Sequence, residues 1–157
     1  MGLEKIESVE DMPVYQIFYG LALEVEKGSR DYGPDFRWLR NQSLRASESV
    51  CANMTEGFYS QYSTEYLQSL YRCRREARET MTHIKYARDV RQLPTEKAEE
   101  LLTQYNDGCQ QLNNLILSIE RKIQSRGKSK PTFSGVKEES VGYEIFHQPS
   151  TIRVLRN

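Results

Sequence analysis

Residues Gln42 to Gly57 read Q-S-L-R-A-S-E-S-V-C-A-N-M-T-E-G, and this stretch decides the fold. It has helical length and an unusual lining. Gln42, Ala46, Ser49, Asn53 and Gly57 recur every three or four residues, the period of one helix face. A core-facing stripe is ordinarily Leu, Ile or Val. A stripe of small and amide-bearing residues instead lets a second helix backbone come close and offers it hydrogen bonds. Gly57 reads as the stop of this helix.

Working outward, the second helical segment spans about Asp35 to Phe58, with Trp38 and Leu39 starting its buried face and Trp38 reading as a core or subunit-contact anchor. The first segment, about Met12 to Lys27, carries Val14, Ile17, Phe18, Leu21 and Val25 on one side. Gly28, Gly33 and Pro34 punctuate the gap between them. Pro34 suits a first helical turn, and Asp35 suits its positive end. The third segment, about Thr64 to Gln92, places Leu67, Leu70, Cys73, Ala77, Met81, Ile84 and Ala87 at helical spacing, with Ser63 or Thr64 as cap. The fourth, about Thr95 to Gln124, follows Pro94 and is lined by Ala98, Leu101, Leu102, Tyr105, Leu112, Leu115, Ile116, Ile119 and Ile123. Asp107-Gly108 within it is expected to bend or loosen the helix, since Gly costs about 1 kcal/mol relative to Ala there. The expected fold is all-α: an antiparallel up-down four-helix bundle over residues 1–125. Residues 126–157 form a basic linker (Arg126 to Pro131) and an irregular C-terminal tail carrying Val141, Tyr143, Ile145, Phe146, Ile152, Val154 and Leu155.

Composition narrows the function. The 157 residues balance 22 basic against 22 acidic side chains, which argues against a uniformly basic nucleic-acid protein. The distribution is uneven: residues 1–36 hold three basic and eight acidic side chains, and residues 37–91 hold ten and six. No apolar run approaches the roughly 18 residues of a membrane span. No charged start with an apolar run behind it marks a secretion signal. Three dispersed cysteines, Cys51, Cys73 and Cys109, without a C-x-x-C read as reduced thiols of a cytoplasmic protein.

Two constellations stand out. At 100° per residue, Arg74, Arg78, Lys85 and Arg88 project within about 80° of one another beside the apolar face of the third segment, with Arg72 and Arg75 in the same tract. Such a stripe tracks phosphates, or it is a solvated face paired with neighbouring carboxylates. Gln42, Arg45, Asn53, Glu56 and Glu79 are expected to form a polar network between the second and third helices, Arg45 pairing with Glu56 or Glu79. A buried Arg flanked by carboxylates must be paired. A structural network is favoured over a catalytic one, for no nucleophile, metal set or acid–base pair accompanies it. Lone His83 has no second ligand at helical spacing. No nucleotide, hydrolase or metalloprotease motif is present, and no cofactor or metal is expected. The ten tyrosines suit interfaces or base stacking, the interface reading being favoured, with Tyr71 and Tyr86 nearest the basic stripe.

The motif resembles the four-helix-bundle proteins of 23S ribosomal RNA intervening sequences, whose pattern is close to Q-x-x-R-A-x-x-S-I-x-x-N-I-A-E-G followed by E-F-x-x-F-L and a later Glu. Here it reads Gln42, Arg45, Ala46, Ser49, Val50, Asn53, Met54, Thr55, Glu56 and Gly57, then Glu65, Tyr66, Leu67, Leu70 and Glu79. The likeness covers roughly Val14 to Lys122. The chain departs from the pattern at Cys51, where the family carries Pro, and at Arg75-Glu76, where a Gly-Ser pair is common. The resemblance implies a bundle that assembles as a homo-oligomeric ring, commonly a pentamer. Relatives act as accessory variability determinants in diversity-generating retroelements, where a basic-faced ring binds nucleic acid and a reverse transcriptase. The expectation is therefore a non-enzymatic ring that binds RNA or DNA. The alternative is a protein scaffold whose C-terminal tail recruits a partner.

Overall fold

The computed structural model describes residues 5–128, and those residues fold into four helices with no strands. Helix α1 is Pro13–Ser29, α2 is Arg37–Phe58, α3 is Ser63–Asp89 and α4 is Thr95–Lys128. Single 3-10 turns, Val9–Asp11 and Pro34–Phe36, lead into α1 and α2. Proline sets both starts. Pro13 opens α1 and Pro34 opens the turn before α2, positions where a missing N–H leaves no bond unmade.

Each helix runs closely beside two others: α1 and α3 both pack on α2 and α4, and the diagonal backbones do not approach. The centre is apolar and fully enclosed, with Phe18, Leu39, Val50, Met54, Leu70, Cys73, Ala77, Tyr105 and Leu112 all at 0% exposure. Large apolar side chains each contribute about 1.5–3 kcal/mol on burial, so the apolar stripes of the sequence supply the driving force.

Several details differ from the expectation. The buried face of α2 is Leu39, Ser43, Ala46, Ser47, Val50, Cys51, Met54 and Gly57. Gln42 is exposed, and Ser49 and Asn53 are half-buried. The amide-bearing positions thus border the core, because the larger Leu39, Val50 and Met54 claim its centre. Trp38 lies 51% exposed rather than starting the buried face. Gly57 does not stop the helix, which continues to Phe58. It instead admits α3, for a Cβ there would sit 2.5 Å from Ser69 Cβ. The close approach expected of a small-residue stripe is therefore met at one end of it.

Tyr62, not Ser63 or Thr64, caps α3, without a side-chain bond. At the other end α3 stops at Asp89, short of Gln92. Arg91 takes a left-handed φ of 61°, and the Gln92 N–H donates to the Ala87 carbonyl at 2.8 Å, closing the helix. Helix α4 runs through Asp107-Gly108 without a break. Gly108 is the place where α1 seats: a Cβ there would lie 3.1 Å from Phe18 Cζ and 3.2 Å from Ile17 Cγ2. It serves packing rather than bending. Helix α4 also continues to Lys128, past the bundle boundary expected at residue 125. The tail from Val141 to Leu155, with the rest of the linker, lies outside the described residues.

Candidate nucleic-acid interface

The basic residues of α3 divide into two groups. Arg72 and Arg88 have carboxylate partners, and Arg74 is held by neutral groups. Arg72 Nη1 lies 3.8 Å from Glu56 Oε1. Arg74 Nη1 donates to Asn113 Oδ1 at 3.2 Å, and its guanidinium stands 5.3 Å from the Tyr71 ring centroid. The Tyr71 hydroxyl donates in turn to Glu120 at 2.6 Å. Arg88 donates to Asp89 at 2.9 Å and to Glu99 at 2.7 Å. Arg75, Arg78 and Lys85 are exposed, and none has a carboxylate within ion-pairing distance among the described residues. The partners come from packing: α4 supplies Asn113 and Glu99 and α2 supplies Glu56, while Arg75, Arg78 and Lys85 are exposed.

The expected polar network is present in part. Arg45 is its hub. Its Nη2 donates to Glu79 Oε1, its Nη1 lies 3.7 Å from Glu76 Oε2, and its Nε donates to Gln42 Oε1 at 3.4 Å. His83 Nε2 lies 3.4 Å from the same Glu79 oxygen. Of the two expected partners of Arg45, Glu79 is therefore the one it meets. Glu56 belongs to the separate pair with Arg72, and Asn53 donates to the backbone carbonyl of Ser49 at 2.8 Å, within its own helix. Arg45 is not buried. Its side chain is 50% exposed, while that of Glu76 is 13% exposed. The desolvated member of the cluster is thus a carboxylate, and Arg45 reaches in from the rim to neutralise it. Glu76 and His83 were not expected in the network. The signal was available, since both lie three or four residues from Glu79 and so share its side of α3.

Of the two roles expected of Trp38, core residue and subunit-contact anchor, its exposure rules out the first. Its ring centroid lies 5.7 Å from that of Tyr86, at an interplanar angle of 59°. Trp38 is 51% and Tyr86 46% exposed. The spacing Trp38, Gln42, Arg45 marks the edge of α2 and not its core face, and that regularity was legible. Tyr86 lies beside Lys85 in α3, so the aromatic pair adjoins the unpaired cations.

The remaining chemistry is quiet. Cys51, Cys73 and Cys109 are free and buried. Burial, with the Glu48 charge second, pushes the Cys51 thiol up to about 12. Burial does the same to Cys73, whose Sγ donates to the Val50 carbonyl at 3.2 Å. A shallow cleft at the α2–α3 connection is lined by Glu56, Ser60, Glu65, Gln68, Ser69 and Arg72, a mixture of charges that selects no obvious ligand. Among the described residues, no helix is long and apolar enough to cross a membrane.

The family model described as 23S rRNA-intervening sequence protein matches residues 10–114, a span that takes in all of the first three helices and most of α4. No curated protein matches the chain.

Proposed function

The chain belongs to the 23S rRNA-intervening sequence protein family, and from that premise we propose that it is a non-enzymatic, homo-oligomeric nucleic-acid-binding protein whose contact surface is the outer face of α3. The observation that carries the reading is the set of unpaired cations, Arg75, Arg78 and Lys85. A cation already held by a carboxylate gains little from a phosphate. One facing water releases a condensed counterion when it binds nucleic acid, which makes affinity fall with salt.

The finer architecture we propose is an up-down antiparallel bundle. Residue pairings favour it. Along α2 and α3, Trp38 meets Tyr86, Arg45 meets Glu79 and Gly57 meets Ser69, so one numbering rises as the other falls. The α3 and α4 pairs run the same way, Tyr71 with Glu120 and Arg88 with Glu99.

Self-assembly into a ring, with a pentamer as the family likeness suggests, would repeat the three cations in each copy and so build one large positive surface. Exposed Tyr19 and Leu23 on α1 offer an apolar contact on a different helix from those cations. A reverse transcriptase of a diversity-generating retroelement is the protein partner this reading carries, in the cytoplasm, where buried thiols stay reduced.

The test is size-exclusion chromatography with light scattering, with and without a mixed RNA and DNA oligonucleotide pool, at low and high salt. The expected result is an oligomer that carries nucleic acid at low salt and releases it at high salt. The double charge reversal Arg75→Glu with Arg78→Glu should abolish the shift and leave subunit number and helical circular dichroism unchanged. An oligomer indifferent to the pool at low salt overturns the reading.

A further inference from the structure

We propose that Trp38 and Tyr86 form a stacking platform for unpaired bases, so that the nucleic acid this protein takes is single-stranded; the inference rests on the nucleic-acid reading above and specifies its ligand. Two large aromatic rings 5.7 Å apart at an interplanar angle of 59°, each residue about half exposed, put aromatic surface where an ordinary surface carries polar groups. Their neighbours are cationic. Lys85 precedes Tyr86, Arg37 precedes Trp38, and both are exposed. Arg78 and Arg75 continue the outer face of α3 away from the pair. From Arg75 to Tyr86 the helix rises about 16 Å at 1.5 Å per residue. At 100° per residue Tyr86 stands about 80–100° round the helix from Arg78 and Lys85, so a backbone held by those two cations would have the aromatic pair on its flank, where its bases project.

On α3 the carboxylates beside this track are engaged, Glu79 with Arg45 and Asp89 with Arg88. Asp35, in the turn before α2, is exposed and in no ion pair among the described residues. The open charge of α3 along this track is positive. A duplex hides its base faces within its own stack and offers this surface phosphates only. A single strand offers both phosphates and base faces, which is the combination this surface matches. A two-fold contact with a second copy would bring like charges together here, and the heterologous contact of the ring proposed above has an apolar surface elsewhere, at Tyr19 and Leu23 of α1.

Trp38 is the sole tryptophan of the chain, so intrinsic emission reports this site alone. The experiment titrates the full chain with a labelled mixed-sequence single strand and with its matched duplex, following label anisotropy and Trp38 emission together. The single strand is expected to quench Trp38 and the duplex to leave it unchanged. Trp38→Ala and Tyr86→Ala should each weaken single-strand binding about tenfold, the range of one lost base stack. Duplex binding should change by less than about twofold, and Trp38→Phe, which keeps a ring, should bind nearly as the parent does. Circular dichroism confirms that each variant is folded. Equal binding of both probes with unchanged emission would overturn the platform and leave the nucleic-acid reading intact. Binding of neither probe would overturn both. A concentration-dependent emission shift without nucleic acid would assign the rings to a contact between copies, and would also overturn the platform.

Discussion

Gly57 of α2 faces Ser69 of α3 so closely that a Cβ on the glycine would stand 2.5 Å from the serine Cβ and 3.0 Å from its Oγ. The contact is between short side chains close to both backbones, so no flexible group can swing aside. Gly57→Ala should cost about 2 kcal/mol, the usual scale of overpacking, and Ser69→Gly in the same chain should recover part of the loss. Gly20 is the control. Nothing lies within 4 Å of a Cβ there, and the residue is exposed within α1. Gly20→Ala should gain up to about 1 kcal/mol by helix propensity and lower unfolded-state entropy. Urea midpoints of the variants decide it, and equal midpoints for Gly57→Ala and the parent would refute the close-approach account.

Arg45 is the cation nearest the half-enclosed Glu76 and a hydrogen-bond donor to Glu79. One Glu76 oxygen, Oε2, is buried without a hydrogen bond, so the charge of Arg45 is its main compensation. Arg45→Ala should lower stability by about 1 kcal/mol, a figure kept small because half the arginine is solvated. If the same edge of α2 meets another copy, subunit number should change as well. An unaltered melting temperature together with an unaltered light-scattering mass would show that Arg45 has no structural role.

Alkaline pH should unfold the protein earlier than its helix content suggests. Cys51 and Cys73 have ordinary thiol values of 9.0 in the unfolded chain and about 12 when buried. Between those limits the folded state binds more protons than the unfolded state, so stability falls as pH rises. Burial also raises Tyr66 and Tyr32 from 10.0 to about 12, adding to the decline in the upper part of the window. The expectation is stability unaffected by these four groups below about pH 9 and lost progressively towards pH 12. Chemical denaturation across that range measures it. Around pH 8 the native thiols should resist a disulfide reagent that labels the unfolded chain at once; prompt native labelling would contradict the burial.

Tyr105 is wholly enclosed, and its hydroxyl has no hydrogen-bond partner. Nearby Thr80 donates its own hydrogen to the Glu76 carbonyl at 2.9 Å and keeps lone pairs that face the phenol, but Oγ1 falls short of hydrogen-bond geometry to it. Burial raises the Tyr105 phenol well above its ordinary value. Removing an unsatisfied polar atom while keeping the ring removes a desolvation cost of about 1–3 kcal/mol. Tyr105→Phe should therefore raise the melting temperature, and a clear fall would mean that the hydroxyl makes a stabilising bond.

Much of this was legible from order alone. The four apolar stripes placed four helices, with ends displaced by a few residues where capping departs from composition. Ser63 was a sound cap candidate, yet Tyr62 holds the position, with an extended backbone and no side-chain bond to the helix. Arg91 carries a positive φ without the glycine that would announce it. The basic tract was legible as a tract. Which of its members were spent could not be read, because Asn113, Glu99 and Glu56 come from other helices and their proximity depends on packing.

The sequence by itself determined that this chain is all-α, where its four helices fall and which family it belongs to, because hydrophobic period and a local motif are properties of consecutive residues. Tertiary structure alone decided that Gly57 is a contact and not a stop, that Arg45 takes Glu79 over Glu56, that Trp38 faces water beside Tyr86, and that Arg75, Arg78 and Lys85 remain unpaired. Each of those outcomes turns on the distance between side chains on different helices, and helical period fixes only the direction in which a side chain leaves its own.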